Sequence, residues 1–430
     1  MLKRLLFACI TTQLLLVACS SEKPSSTFDI RAFVGASIID GSGRETIANG
    51  VLVVSAGRIE AVGSAETVRI PADAERIDVS GKFIIPGLIN THGHVGGTLG
   101  LEGGHYSEEN ILRQLRLYAR YGVTTVNSLG GDGDAGAALR AGQNNPDLDR
   151  ARLLVAGALV TGETVAEVKA VIDQNAAMEV DFIKIRVDDN LGSTKKMPPE
   201  IYQAVIDYAH QKGLRVASHL FYLDDAKSLL NSGVDFIAHS VRDREVDDEF
   251  IRMLKSKGIG YCPTLTREVS TFVYENVPDF FDDPFFLKEA DAQVLEQLKA
   301  SERQNRIRNS EAAQQYKKAL QVASVNLKKL ADAGVKIAFG TDSGPPARFQ
   351  GYFEHLELEL MAKAGLSPKQ IIVSATGDAA GSLGLEDVGT LEPGKWADFI
   401  VLTNNPLEDI KNTRSIESVW IAGNRVPERK

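Results

Sequence analysis

Cysteine is nearly absent from this chain, at three in 430 residues. Cys9 and Cys19 lie in the first twenty residues, so only Cys262 remains in the body and no internal disulfide can form there. Cys262 ends the apolar run Ile259-Gly260-Tyr261-Cys262 and reads as buried filler. Histidine is scarce as well, at seven. Positive charge is in deficit: the balance is −9 with the acidic residues dispersed, which argues against both a nucleic-acid partner and an acidic tail. The apolar stretch Leu5 to Ala18 is too short for a stable membrane-spanning helix. The rest is ordinary for a soluble globular protein, with 43% hydrophobic and 24% charged residues.

The N-terminus reads as a leader. Met1-Leu2-Lys3-Arg4 is a basic start, and the apolar stretch behind it ends Leu16-Val17-Ala18-Cys19. That ending resembles the bacterial lipoprotein signal, in which the cysteine is lipidated and becomes the new N-terminus; the alternative is an ordinary secretory signal with a chance cysteine. The resemblance implies a signal peptide over 1–18, lipidation at Cys19 and a lipid anchor in the cell envelope. Ser20, where an aspartate would favour inner-membrane retention, points to the periplasmic face of the outer membrane. Residues 19–27 read as a flexible tether.

The body alternates texture. Short β segments separated by turn signals fill 28–82, and similar ones recur over 386–430. Neither piece can bury a core alone, so the two ends are expected to form one small β-sandwich. Between them, over 83–385, apolar strands alternate with amphipathic helices. The strands expected are 83–89, 122–128, 152–160, 182–187, 215–219, 236–239, 259–265 and 336–340. That count predicts an α/β fold, a (β/α)8 TIM barrel, with an open doubly wound sheet as the alternative. One connection, 266–315, is unusually long and starts with aromatics, among them Phe272, Tyr274 and Phe280. It reads as a lid, a packing insertion or a homo-oligomer contact.

Polar residues stand where these strands stop. Phe83–Ile89 runs into Asn90-Thr91-His92-Gly93-His94, and in an extended strand residues i and i+2 share a face, so both imidazoles can grip one ion. His219 and His239 end two further runs, and Asp342 follows another. In a parallel barrel all strand ends open on one face. Four imidazoles and a carboxylate gathered there suit zinc or a similar divalent ion. Lys184 sits mid-strand in Asp181-Phe182-Ile183-Lys184-Ile185, where an unpaired ammonium is costly. It pairs with a carboxylate such as Asp181, snorkels to the rim, or is modified into an anionic ligand.

Four motifs carry a family resemblance: Pro86–His94, Gly122-Val123-Thr124-Thr125-Val126, Gly340-Thr341-Asp342-Ser343 and Gly389–Asp398. From about the tether to its end the chain resembles the metal-dependent amidohydrolase superfamily, in its imidazolonepropionase-like and Xaa-Pro or Xaa-Lys/Arg dipeptidase-like branch. The resemblance implies two divalent ions, zinc by default. His92, His94 and Asp342 would hold one, His219 and His239 the other, with Lys184, carboxylated on its amine, bridging them. It also implies a shared hydroxide as nucleophile and Asp342 as the catalytic proton shuttle. The expected activity is hydrolysis of an amide or peptide C–N bond in a small molecule or short peptide. A cyclic amide, lactone or phosphotriester is the alternative, and an inactive scaffold a further one.

The chain departs from its relatives after the third histidine. Many dipeptidase-like members carry a tyrosine two residues on; here Phe221 stands there and Tyr222 follows, so Tyr222 is the substitute candidate. Further candidates for substrate contact are His105, in the first loop, and Arg267 and Arg348, just beyond the last two strands. His355, within the helix expected over 352–364, reads as structural.

Overall fold

The computed structural model describes residues 30–429. The leader, Cys19 and the tether lie outside the described residues.

Both ends of the chain meet in one eight-stranded sheet. Arg31–Ile38, Ile47–Ser55, Arg58–Ser64, Glu75–Asp78 and Phe83–Pro86 come from the front, and Phe399–Leu402, Ile416–Ile421 and Asn424–Arg425 from the back. They join where Phe83–Pro86 pairs antiparallel with Phe399–Leu402. Phe33, Phe399 and Trp420 pack edge-on and stacked at its centre, with centroids 4.8–5.9 Å apart. Arg31–Ile38 links the two halves of this network, pairing first with Glu75–Asp78 and at its end with Phe83–Pro86.

The expected strand 83–89 is two strands. Phe83–Pro86 belongs to the terminal sheet, and Leu88–Gly93 pairs parallel with Val123–Ser128. Gly87 makes the transfer: a Cβ there would lie 2.1 Å from Thr124 Oγ1, so a larger residue would have to displace the buried Thr124 side chain.

Two parallel arcs form the middle of the chain. One contains Leu88–Gly93, Val123–Ser128 and Arg152–Val155; the other contains Phe182–Val187, Arg215–Leu220, Phe236–Ala238 and Gly260–Cys262. Segment 336–343, expected to include a regular strand, forms only isolated parallel bridges, Ile337 with Tyr261 and Ser343 with Gly93. It thereby touches both arcs. On the far side Val160 bridges Ile185, again linking one arc to the other.

The amphipathic periods, which predict helices over 108–121, 165–178, 199–211, 224–231, 247–257 and 352–364, become Glu108–Arg120, Val165–Ala177, Pro199–Gln211, Leu223–Ser232, Asp248–Lys257 and Tyr352–Lys363. Asp134–Ala141 was not anticipated, since its Ala/Gly-rich sequence shows no apolar stripe. The long connection is a run of short helices leading into Glu311–Asp332. Its Tyr274, Phe281 and Phe286 are buried in a satellite core with Tyr121, Tyr352 and Phe353. Phe272 instead packs with Phe221, Tyr222 and Tyr316.

Candidate metal centre

His92 is buried, its Nδ1 has no hydrogen-bond partner, and its Nε2 lies 3.7 Å from Asp342 Oδ1. His94 Nε2 lies 2.9 Å from the same oxygen, and its Nδ1 lies 3.1 Å from the Gly130 carbonyl. A carbonyl only accepts, so Nδ1 carries the proton and Nε2 turns a lone pair toward Asp342. Two acceptors that close need a positive charge between them, either a second proton or a metal ion. Ligand atoms of His92, His94 and Asp342 all lie within 4.8 Å of one another, which fits a single ion.

The other two histidines adjoin this trio. The His239 ring centroid is 4.5 Å from that of His92 and 4.1 Å from that of His219. Each has a polar partner on its far side. His239 Nδ1 is 2.7 Å from Thr264 Oγ1, and His219 Nε2 is 2.7 Å from Asp188 Oδ2. The carboxylate makes His219 Nε2 the protonated nitrogen and leaves Nδ1 free as a donor, an arrangement that fixes the ring of a metal ligand. Burial pushes the His219 imidazole down to about 3 against the pull of Asp188, and holds His92 and His239 well below the usual range. All three rings are therefore neutral at pH 7, the form that binds metal.

Lys184 neither pairs nor snorkels. It is buried, its Nζ has no hydrogen-bond partner, and Asp181 is taken by Arg140 and the Val155 N–H. Burial pushes the ammonium down to about 8 although Asp342 opposes it. The amine is thus unusually ready to lose its proton, as carboxylation requires.

Asp342 is held from several sides. Burial would raise its pKa, but Arg348 and then His94 keep the carboxyl well below the usual range. Arg348 Nη1 donates to Asp342 Oδ2, and its Nε donates to Ser270 Oγ at 3.0 Å. The backbone here is unusual: Asp342, His239 and Thr264 have φ of 57°, 123° and 46°. Such conformations cost about 1–3 kcal/mol each and concentrate at functional sites.

The remaining candidates are not free in the way the sequence suggests. Arg348 sits on Asp342 itself. Arg267 is buried, 3.1 Å from Glu268 Oε2 and 3.2 Å from the Tyr316 hydroxyl, and Arg242 approaches the same glutamate at 2.9 Å. The Tyr222 hydroxyl donates to Asp189 at 2.9 Å, and Lys196 covers its ring. His105 lies 3.8 Å from Glu102 and is 39% exposed. His355 is structural: its Nε2 donates to the Tyr121 carbonyl at 2.8 Å.

Sequence reasoning missed the supporting groups Asp188, Thr264, Asp132 and Glu354. Asp132 accepts from Ser128 Oγ at 2.6 Å and the Ala156 N–H at 2.9 Å, and burial raises it to about 6. Glu354 accepts from Asn90, Thr341 and Ser343 at 2.6–2.7 Å, pinning the His92 strand to segment 336–343. Asp132, Asp188 and Thr264 follow strand ends, the same signal that located the histidines; Glu354 lies inside a helix and gives none.

Known proteins share this arrangement of sequence. An uncharacterized protein of Mycobacterium tuberculosis is 28% identical over 240 residues, 53% of this chain and 58% of the relative, so the match spans little more than half of that protein's length. The imidazolonepropionase of Streptomyces coelicolor is 24% identical, covering 83% of this chain and 86% of the relative. A Bifidobacterium longum protein assigned as a prolidase has a solved structure that superposes with a TM-score of 0.74 at 26% identity, over 94% of this chain and 97% of that one. Residues 83–426 match the amidohydrolase family model. With four-fifths of its length inside that match, the chain belongs to the amidohydrolase family.

Proposed function

We propose that this enzyme is a metal-dependent hydrolase of amide or peptide C–N bonds in small molecules or short peptides, built on a (β/α)8 barrel in which the two parallel arcs and segment 336–343 are the eight strands. The observation that carries the reading is the triad of buried His92, half-buried His94 and buried Asp342, with its facing acceptors and the unpartnered Lys184 beside it. The donor set of imidazole and carboxylate suits zinc. In this reading His92, His94 and Asp342 would hold one ion and His219 and His239 a second, and Lys184, once carboxylated, would add an anionic ligand. Bound there, divalent ions provide a water deprotonated near neutral pH and polarise a carbonyl.

The chain's own groups do the rest. Gly130 and Asp188 orient the imidazoles of His94 and His219 so that one lone pair of each faces the centre, and the Thr264 hydroxyl holds the ring of His239. Arg348 anchors Asp342 Oδ2 and leaves Oδ1 toward the histidines. The Asp342 carboxylate takes a proton as the scissile carbonyl is attacked and returns it to the leaving nitrogen.

Metal analysis of the purified protein, followed by a panel of dipeptides, N-acyl amino acids, lactones and phosphotriesters, tests the reading. We expect about two ions per chain and turnover on amides. Turnover confined to lactones or phosphotriesters would refute it, and fewer than about one ion per chain with no turnover would leave a scaffold. Lipid anchoring at Cys19 belongs to the proposal and rests on the leader sequence alone; Cys19→Ala should release the protein from the membrane fraction.

A further inference from the structure

Arg186 lies two residues beyond Lys184 in the strand Phe182–Val187, so both side chains leave the same face. They are near enough to repel each other, and Arg186 is the one nearer the strand's C-terminal end. Its Nε is buried without a hydrogen-bond partner, and no acidic group pairs with it among the described residues. Other arginines at this end are matched: Arg242 and Arg267 share Glu268, and Arg348 holds Asp342.

Arg186 opens on a cavity of about 310 Å³ whose walls include Leu159, Thr161, Met197 and Asp188. Asp188 is already engaged by His219 and by the Asn190 N–H at 2.7 Å. The same aspartate therefore forms a wall of the cavity and the support of a histidine of the candidate centre. Lys195 and Lys196, also in the lining, face Glu163 at 3.6 Å and Asp225 at 2.8 Å. That leaves the Arg186 guanidinium as the unmatched cation of a half-apolar cavity beside the histidines. A partly desolvated cation without a partner is unfavourable, and an incoming carboxylate answers it with a charge-assisted, bidentate pair.

We propose that Arg186 is the specificity residue of this hydrolase: it receives a carboxylate carried on the leaving amine, so the substrates are N-acyl amino acids or dipeptides with a free C-terminus, their apolar side chains lying against Leu159 and Met197. The proposal rests on the amide-hydrolase reading and names its substrate class.

The test uses metal-loaded enzyme and matched pairs, each an N-acyl amino acid or dipeptide and its C-terminal amide. Wild type should prefer the carboxylate by about 10- to 100-fold in kcat/KM, the worth of a hydrogen-bonded charge pair. Arg186→Met should bring the ratio near one, chiefly through a raised KM for the carboxylates; Arg186→Lys should retain part of the preference. A ratio unchanged in Arg186→Met, or no preference in wild type, overturns the proposal. Calorimetric titration with L-leucine and L-leucinamide reads the same residue without turnover. Leucine should bind wild type about tenfold or more tightly than it binds Arg186→Met at equal metal content, and equal binding overturns the assignment. Should Arg186→Met fail to fold, an undiminished preference in Arg186→Lys overturns it instead. If metal-loaded wild type cleaves neither member of any pair, the amide-hydrolase reading falls, and the titration still decides Arg186.

Discussion

Asp342 combines a positive φ, a buried carboxylate, an arginine on one oxygen and a histidine on the other. Asp342→Asn keeps the shape and one oxygen ligand but loses the proton acceptor. We expect most of the metal to remain and turnover to fall by about 10²- to 10⁴-fold; turnover near wild type would refute the shuttle role. Lys184→Ala should lose both metal and activity, with small carboxylates partly restoring them, and normal metal binding in that variant would refute the bridging role. These residues were legible because strand ends and periodicity are local properties. Their supports were less so. Thr264 is aimed at His239 by a backbone turn with φ of 46°, and Glu354 reaches Asn90 from 264 residues away, neither of which one sequence displays.

At the level of elements, the helices were legible to within a residue or two because most bury one stripe, although Tyr352–Lys363 is buried on nearly every side. The break at Pro86–Gly87 is signalled by the Pro-Gly pair itself, but apolar residues on both sides of it read as one strand although they belong to different sheets. Segment 336–343 looked like a strand for the same reason, yet it bends at Asp342 and pairs only by isolated bridges. The helix Tyr352–Lys363 offers a pH test through His355, which burial pushes down to about 3. The unfolded chain binds a proton there near the ordinary pKa of about 6.5 and the folded one does not. Its contribution to stability is therefore complete above that pKa and is lost as pH falls toward 3. Thermal or urea unfolding between pH 6 and 4 should show a slope shallower by about 1.4 kcal/mol per pH unit in His355→Gln. An identical slope would mean that the folded ring accepts the proton.

Across the whole molecule, the terminal sheet and the parallel arcs are joined by a buried ion pair. Arg152 Nε lies 2.6 Å from Asp398 Oδ2, with both side chains at most 5% exposed. Asp398 also accepts from the Ala422 N–H at 2.7 Å, and Trp396 lies between Arg152 and Arg58. Asp398→Ala strands the guanidinium and should cost about 3–5 kcal/mol in chemical denaturation. A loss below about 1 kcal/mol would show that water reaches Arg152.

The strand that bears His92, with His94 just past its end, continues through Gly87 from one that pairs with Arg31–Ile38 on one side and, on the other, with the late partner Phe399–Leu402. During synthesis a ribosome must finish nearly the whole polypeptide before that partner emerges, and pairing so distant in sequence forms slowly. A nascent chain stalled before residue 399 should accordingly be unable to retain metal, however many of its ligands have already left the exit tunnel.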